Sequence, residues 1–147
     1  MLLTILLELI LKRVVGNSEG KEMILRLAAE TEMDTSYAAW RLKTLTPYSI
    51  VALTNCRVAR LPMETWVEFL EHHDEVKESF EYEVMRLMSE VMAHTITLHL
   101  LDASGRLARF QRKHPELVDR IPKKELAAYL NITPETLSRV KIRKTAD

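Results

Sequence analysis

The chain has 147 residues, enough for one domain or two small ones, and 47% of them are apolar, which argues against a disordered chain. Basic and acidic residues number 21 each, so the net charge is zero, and the single cysteine, Cys56, excludes a disulfide framework and a self-contained iron–sulfur cluster. The apolar run from Met1 to Leu11 is interrupted by Glu8 and is too short to span a bilayer. It has no basic start and no small-residue cleavage site, so we expect a cytoplasmic protein without a membrane partner.

The first sixty residues are predicted to form mainly strands. Residues 13–15 lead into the turn-forming segment 16–20, and residues 21–27 alternate in part, which indicates a hairpin with a long loop. Residues 48–53 and 56–61 are two further strand candidates around a Thr54-Asn55 turn. In the second of these, Cys56, Val58 and Arg60 share a face. A helical turn is expected from Tyr37 to Leu42.

Beyond Leu61 the pattern becomes helical. Pro62 stands where a helix can begin, and a break follows at residues 72–74. The segment from Asp74 to Leu101 contains no glycine or proline, which predicts a helix roughly 42 Å long.

Two apolar stripes run along this helix. One follows a heptad pattern, which we call the heptad seam: Phe80, Val84, Leu87, Val91, His94, Leu98 and Leu101. The other, which we call the methionine stripe, lies on a neighbouring face: Met85, Met88, Met92 and Ile96. We assign the heptad seam to a homodimer, with two copies of His94 facing each other; a helix buried in the core of one chain is the alternative.

The charge is unevenly distributed along the chain. Residues 60–103 carry three basic and ten acidic side chains, whereas residues 104–147 carry eleven basic and five acidic ones. The basic C-terminal segment indicates a polyanionic partner, although a solvated helical face would give the same charge count.

The segment 121–140 predicts a helix-turn-helix. Ser104 is the expected N-cap of a helix over 105–113, Pro122 opens the next helix, and Pro134 opens the last one with Thr133 as its cap. Leu126, Ala127, Leu130, Leu137 and Val140 are expected to face inward. Glu135 and Arg139 suit the reading of base edges in the major groove; an exposed salt bridge between them is the alternative.

The sequence resembles the catabolite-activator and fumarate–nitrate-regulator (Crp/Fnr) family of bacterial transcription factors over nearly the whole chain, in the segments that follow. Residues 16–22 resemble the hairpin of its cyclic-nucleotide-binding-like β-roll, 47–53 and 56–61 the last strands of that roll, and 80–101 its dimerisation helix. Leu101-Asp-Ala-Ser-Gly-Arg-Leu-Ala108 resembles its hinge, and Ile132-Thr-Pro-Glu-Thr-Leu-Ser-Arg139 resembles its recognition helix.

The resemblance implies an α+β fold in three parts. Residues 1–73 would form a partial antiparallel β-roll that lacks its N-terminal portion, 74–102 the long dimerisation helix and hinge, and 103–147 a winged-helix-type helix-turn-helix domain with no room for its wing. The implied function is a homodimeric regulator that binds double-stranded DNA at a palindromic operator. The expected DNA contacts are Thr133, Pro134, Glu135, Thr136, Ser138, Arg139, Lys141 and Lys144.

The effector site of the family is poorly matched. Weak ligand-binding candidates in the roll are Glu30, Glu32, Tyr48 and Ser49, but no arginine of the sequence stands near Thr46-Pro47 to neutralise a phosphate. We therefore expect no response to cyclic nucleotides, while an unidentified small-molecule effector stays open.

No pattern of the sequence indicates a catalytic site, a cofactor or a metal ion, so we do not expect an enzyme. The alternative function is a truncated or degenerate family member that dimerises or binds a small molecule without specific DNA binding.

Overall fold

Two three-stranded antiparallel sheets make up the first part of the chain. Their strands are β1 (Leu2–Glu8), β2 (Leu11–Gly16), β3 (Glu22–Ala28), β4 (Met33–Thr35), β5 (Ser49–Ala52) and β6 (Arg57–Pro62), with helix α1 (Tyr37–Leu42) between β4 and β5. One sheet has the order β4-β1-β6 and the other β3-β2-β5. The computed structural model describes residues 1–8 and 10–145, without the side chains at positions 6 and 141–145.

The predicted hairpin is formed by β2 and β3, which pair from Leu11 opposite Ala28 to Gly16 opposite Glu22. Its loop is closed by the side chain of Asn17, which accepts hydrogen bonds from the N–H groups of Glu19 (3.1 Å) and Lys21 (2.9 Å). Gly20 has a φ of 78°, in the left-handed region that glycine adopts without strain. Local turn chemistry thus fixes the hairpin, which is why the sequence predicts it.

The strands β5 and β6 exist as predicted, but they do not pair with each other. β5 lies against β2, with Leu11 opposite Ala52, and β6 lies against β1, with Leu3 opposite Leu61. The segment around Thr54-Asn55 therefore passes from one sheet to the other. The sequence predicted the two strands but not their partners, because side-chain alternation identifies a strand without naming the strand it pairs with.

Five helices follow β6: α2 (Met63–Leu70), α3 (Asp74–Leu100), α4 (Ala103–Lys113), α5 (Lys123–Tyr129) and α6 (Pro134–Thr145), with a short 3₁₀ turn at Pro115–Leu117. The predicted N-cap of α4 was wrong by two residues. Asp102, rather than Ser104, caps this helix, and its carboxylate accepts from the N–H of Gly105 over 2.8 Å. An anionic cap also suits the positive end of the helix dipole.

The largest apolar core joins the hairpin to the C-terminal helices. Ile24 and Leu27 from β3, with Ile10 just before β2, belong to the same buried cluster as Leu107, Phe110 and Leu126 from α4 and α5. Two ion pairs flank it, Lys12 with Glu125 at 2.9 Å and Arg120 with Glu30. A second cluster packs Leu3, Met63, Leu70 and Phe80, so that the start of α3 rests on β1 and α2. The helix-turn-helix segment is therefore packed directly on its own β-sheet.

Candidate nucleic-acid interface

The helices α5 and α6 are joined by a tight turn, as the sequence predicts. Leu126, Ala127, Leu130 and Leu137 are buried. Asn131 adopts a left-handed backbone conformation, with a φ of 51°, which asparagine tolerates better than most residues. The N–H of Ile132 then donates to the carbonyl of Ala127 over 3.0 Å. The turn is thus closed by backbone hydrogen bonds, and the residues that follow it are exposed.

Thr133 caps α6, which confirms the predicted start of this helix. Its hydroxyl accepts from the N–H of Thr136 over 3.2 Å and donates to the Thr136 hydroxyl over 3.1 Å. Pro134 provides a first residue without an N–H, where none is needed. The Ser138 hydroxyl donates to the Pro134 carbonyl over 2.8 Å. These contacts give the first turn of α6 a fixed shape.

The outer face of α6 carries the residues that the sequence proposes for DNA contact. Thr133, Pro134, Glu135 and Arg139 are exposed, and Thr136 and Ser138 are half-buried. The side chains of Lys141 and Lys144 lie outside the described residues. The expected DNA contacts that are described therefore lie close together at the start of one helix.

Glu135 and Arg139 do not neutralise each other. Among the described side chains no ion pair joins them, and the Arg139 guanidinium donates to the Thr136 hydroxyl over 3.2 Å. The backbone N–H of Glu135 and the Thr133 hydroxyl hold the pKa of the Glu135 carboxyl below its usual range. The charge of Arg139 also lowers the pKa of Glu135, but the two side chains are exposed and are not joined by an ion pair, so both are open to an external partner.

The heptad seam faces the chain's own core. Phe80, Leu87 and His94 are at most 8% exposed, and Phe80 packs with Leu3 and Met63. Val84, Val91 and Leu98 are partly buried, and only Leu101 at the end of the seam is exposed. Phe80 packs against β1 and α2, and His94 stacks on Tyr129 of α5. These two side chains and the buried Leu87 are therefore covered within the chain, and we correct the assignment of the seam to a partner helix at these three positions.

The methionine stripe lies on the open side of α3. Met85, Met88, Met92 and Ile96 are between 50% and 65% exposed, although all four are apolar. The sequence detected both stripes but assigned the heptad seam, rather than the methionine stripe, to a partner helix. Both have helical spacing, and burial depends on residues far away in the chain.

His94 is held between the sheet and the helix-turn-helix segment. Its ring stacks on that of Tyr129, with centroids 4.0 Å apart, and its Nε2 atom is buried without a hydrogen-bond partner in the described structure. Burial lowers the pKa of His94 to about 4, against a smaller opposing effect of the backbone at Ile24 and Tyr129. The same burial raises the pKa of Tyr129 to about 12.

The ligand candidates of the roll do not converge on one site. Glu30 pairs with Arg120, and Glu32 pairs with Arg26 and accepts from the N–H of Ala29 over 2.9 Å. Ser49 is exposed on β5. Only Tyr48 lines the cavity between the two sheets, which has a volume of about 400 Å³.

Two arginines that the sequence did not indicate stand near this cavity. The guanidinium of Arg13 lies 4.2 Å from the centre of the Tyr48 ring, but it is buried and paired with Asp34. Arg60 lines the cavity together with Thr46 and Tyr48 and is exposed. An arginine distant in sequence thus shares a cavity with Thr46, which the sequence did not indicate.

The sequence also gave no role to Arg106. This side chain donates to four backbone carbonyls at the ends of two helices. Its position within the hinge-like segment 101–108 was the available signal.

The described part of the chain offers neither a membrane span nor a metal site. None of its helices combines the length and the apolar character that a membrane span needs, and no group of three or more His, Cys, Asp or Glu side chains is placed to hold a metal ion.

Comparison of the fold identifies the architecture. The chain is similar to FixK2 from Bradyrhizobium japonicum, with a TM-score of 0.83, 14% identity, and coverage of 99% of this chain and 75% of the other. A CRP-family transcriptional regulator from Thermus thermophilus gives 0.70, 19% identity, and coverage of 99% and 76%. A putative Crp/Fnr-family regulator from Eubacterium rectale gives 0.72, 17% identity, and coverage of 94% and 66%.

No protein-family model and no curated protein sequence matches the chain. The resemblance seen in the sequence is nevertheless confirmed at the level of the fold, which is the α+β fold of Crp/Fnr-type transcriptional regulators.

Proposed function

We propose that the chain is a DNA-binding transcription regulator that reads its operator with α6. The observation that carries this proposal is the outer face of α6. An anion and a cation, Glu135 and Arg139, are exposed one helical turn apart on a helix whose first turn is fixed by Thr133. In helix-turn-helix proteins the second helix lies in the major groove with its first residues at the base edges. Arginine pairs with guanine and glutamate accepts from cytosine, so the two side chains suit direct readout.

Dimerisation through α3 belongs to the same proposal. With the heptad seam covered by the chain itself, the methionine stripe is the apolar surface of α3 left for a second copy. Methionine side chains adapt well to an interface of this kind. Two copies of α6 would then meet two half-sites of a palindrome, about 34 Å apart along the DNA.

The roll supports a regulator that does not respond to cyclic nucleotides. Among the described residues that line its cavity there is no carboxylate to bind ribose hydroxyls, and Arg13 is already neutralised by Asp34. Arg60 alone would have to balance a phosphate. In isothermal titration calorimetry with cyclic AMP, we expect no saturable binding at micromolar concentrations. A one-site isotherm abolished by Arg60→Ala would contradict this part of the proposal.

DNA binding is tested by selecting sites from a random duplex pool and then titrating salt. We expect an enriched palindrome and an affinity that falls steeply with salt, since each neutralised phosphate releases counterions. Glu135→Ala is expected to change the enriched sequence, while Arg112→Ala, an exposed basic residue of α4, leaves the sequence unchanged. Failure to enrich any palindrome would favour the alternative of a dimerising protein without specific DNA binding.

A further inference from the structure

Arg106 lies in the first turn of α4 and connects the long helix to the helix-turn-helix. Its Nε atom donates to the carbonyl of Leu101 over 2.8 Å, and one of its terminal nitrogens donates to Leu98 over 2.7 Å. The other terminal nitrogen donates to the carbonyls of Leu130 and Asn131 over 3.1 and 3.3 Å. One half-buried guanidinium therefore bridges the last turn of α3 and the end of α5.

Leu98 lies in the last turn of α3, and the other three carbonyls, of Leu101, Leu130 and Asn131, lie just beyond the ends of α3 and α5, where external donors are needed. The last carbonyls of a helix have no N–H partner within it, and the helix dipole places partial negative charge there. Guanidinium offers five donors in a fixed plane, so a single side chain can satisfy two helix ends at once. Lysine, with a compact ammonium group, lacks this geometry.

The direct backbone connection between α3 and α4 is short and extended. Leu101 and Asp102, which form it, have ψ angles of 147° and 175°. Asp102 fixes the start of α4 through Gly105, but this contact lies entirely on the α4 side of the junction. Among the side-chain hydrogen bonds of the described residues, those of Arg106 cross from the end of α3 to the turn before α6.

We propose that Arg106 is a positioning residue that fixes α6 relative to α3 and thereby sets the spacing between the two recognition helices of a dimer. Leu130 and Asn131 lie three and two residues before Thr133, the cap of α6, so holding them to α3 holds the turn from which the recognition helix starts. α6 is about 18 Å long, so a rotation of about 20° at its start moves its other end by about 6 Å, nearly two base-pair steps. The expected effect of Arg106 on DNA binding rests on the proposed function, whereas its expected effect on the position of α6 within one chain does not.

The structural consequence is tested first, by double electron–electron resonance, which measures the distance between two spin labels. Spin labels at Glu75→Cys on α3 and Glu135→Cys on α6, in a Cys56→Ser chain diluted with unlabelled protein, report the distance within one chain. We expect a narrow distribution in the parent and a broader or displaced one in Arg106→Gln. Arg106→Lys should resemble Arg106→Gln because charge alone does not restore the fork, and Arg112→Gln, which also removes a positive charge from α4, should resemble the parent.

The DNA consequence is tested by comparing an intact palindrome with a single half-site. Two linked sites gain affinity only when the geometry allows both to be occupied, so Arg106→Gln is expected to bind the palindrome about 10- to 100-fold more weakly but the half-site within about twofold of the parent. The variant should also lose its preference among palindromes whose centres differ by one base pair. Dimerisation, measured by sedimentation equilibrium, should be unchanged.

Identical distance distributions in the parent, Arg106→Gln and Arg106→Lys would overturn the assignment. So would a loss of half-site and palindrome affinity in equal measure, because that result indicates a general structural role. If the parent binds no DNA, the proposed function fails, and the distance measurement still decides the role of Arg106.

Discussion

Arg139 is expected to act on DNA differently from its neighbour in sequence, Lys141. If the exposed guanidinium of Arg139 reads a guanine, Arg139→Ala should cost about 1–3 kcal/mol of binding free energy and relax specificity at one position of each half-site. Lys141→Ala should weaken binding to all sequences alike and reduce the salt dependence, as the loss of a phosphate contact does. Fluorescence anisotropy with single-base operator variants measures both effects. Equal behaviour of the two variants would make Arg139 a phosphate contact.

His94 is expected to make folding sensitive to acid, and the sign follows from the direction of its shift. Burial lowers its pKa to about 4, so the folded state holds the neutral ring while the unfolded state binds a proton below a pKa of about 6.5. Stability is therefore unaffected above that value and declines as the pH falls from 6.5 towards 4. Between pH 7.5 and 5.5 we expect a loss of about 1 kcal/mol in the free energy of unfolding from this residue.

His94→Leu should remove that contribution, and urea unfolding at the two pH values measures it. His99→Leu, an exposed histidine of the same helix, is the matched control. His114, whose pKa burial also lowers, stays in both variants together with Lys113, which lies near His94 and also disfavours its charged form. A pH dependence of His94→Leu equal to that of the parent would contradict the prediction. The sequence placed two copies of His94 opposite each other in a dimer, whereas Tyr129 of the same chain covers the ring.

At the scale of single elements, α3 should dimerise through the methionine stripe. Met92 is 65% exposed in the chain, so Met92→Glu is expected to place a charge in an apolar interface without disturbing the fold. Sedimentation equilibrium should show a monomer for Met92→Glu and a dimer for Ser79→Glu, which adds the same charge at an exposed position off the stripe.

On the heptad seam of the same helix, Leu87→Ala should instead lower the free energy of unfolding by about 2–5 kcal/mol, since this side chain lies in the core. Dissociation caused by Leu87→Ala at unchanged stability would restore the heptad seam as the interface.

The elements themselves show what periodicity can and cannot predict. The bounds of α1 and the start of α3 follow from local signals, and so does the β2–β3 hairpin, whose turn is closed by Asn17. The pairing of β5 with β2 and the face of α3 that becomes buried depend on contacts across the whole chain. The same limit applies to the site: the cap at Thr133 could be predicted from neighbouring residues, whereas the four carbonyls that meet Arg106 come from two separate helices.

At the scale of the whole molecule, opposite charges are separated along the chain. Ten acidic side chains fall within residues 60–103, which include α2 and α3, while the C-terminal segment 104–147 carries a net charge of +6. Such a field favours approach of a polyanion to the helix-turn-helix end and disfavours it elsewhere. The charge total of zero hides this separation, which is why counting by segment is informative.

The sheets and the helix-turn-helix are expected to unfold together. Ile24 on β3 is 1% exposed and belongs to the same cluster as Leu107, Leu126 and Leu137, so each side completes the core of the other. Ile24→Ala leaves a cavity in this cluster and should lower the unfolding free energy by about 2–5 kcal/mol. Trp40 and Trp66 lie in the part of the chain formed by α1 and α2, so their fluorescence reports on a region away from α5 and α6.

The circular dichroism signal at 222 nm, by contrast, is expected to include a contribution from the C-terminal helices. In the parent we expect the two signals to follow one thermal transition, and in Ile24→Ala we expect both to shift by the same amount, because a shared core couples the two regions. Val76→Ala, which truncates a β-branched residue that is 38% exposed on α3, is the control and should shift neither signal strongly. A fluorescence transition that stays in place while the helical signal melts earlier would show that the helix-turn-helix unfolds by itself. Coincident transitions would instead mean that the position of α6 is maintained by the entire fold, with Arg106 fixing its final orientation.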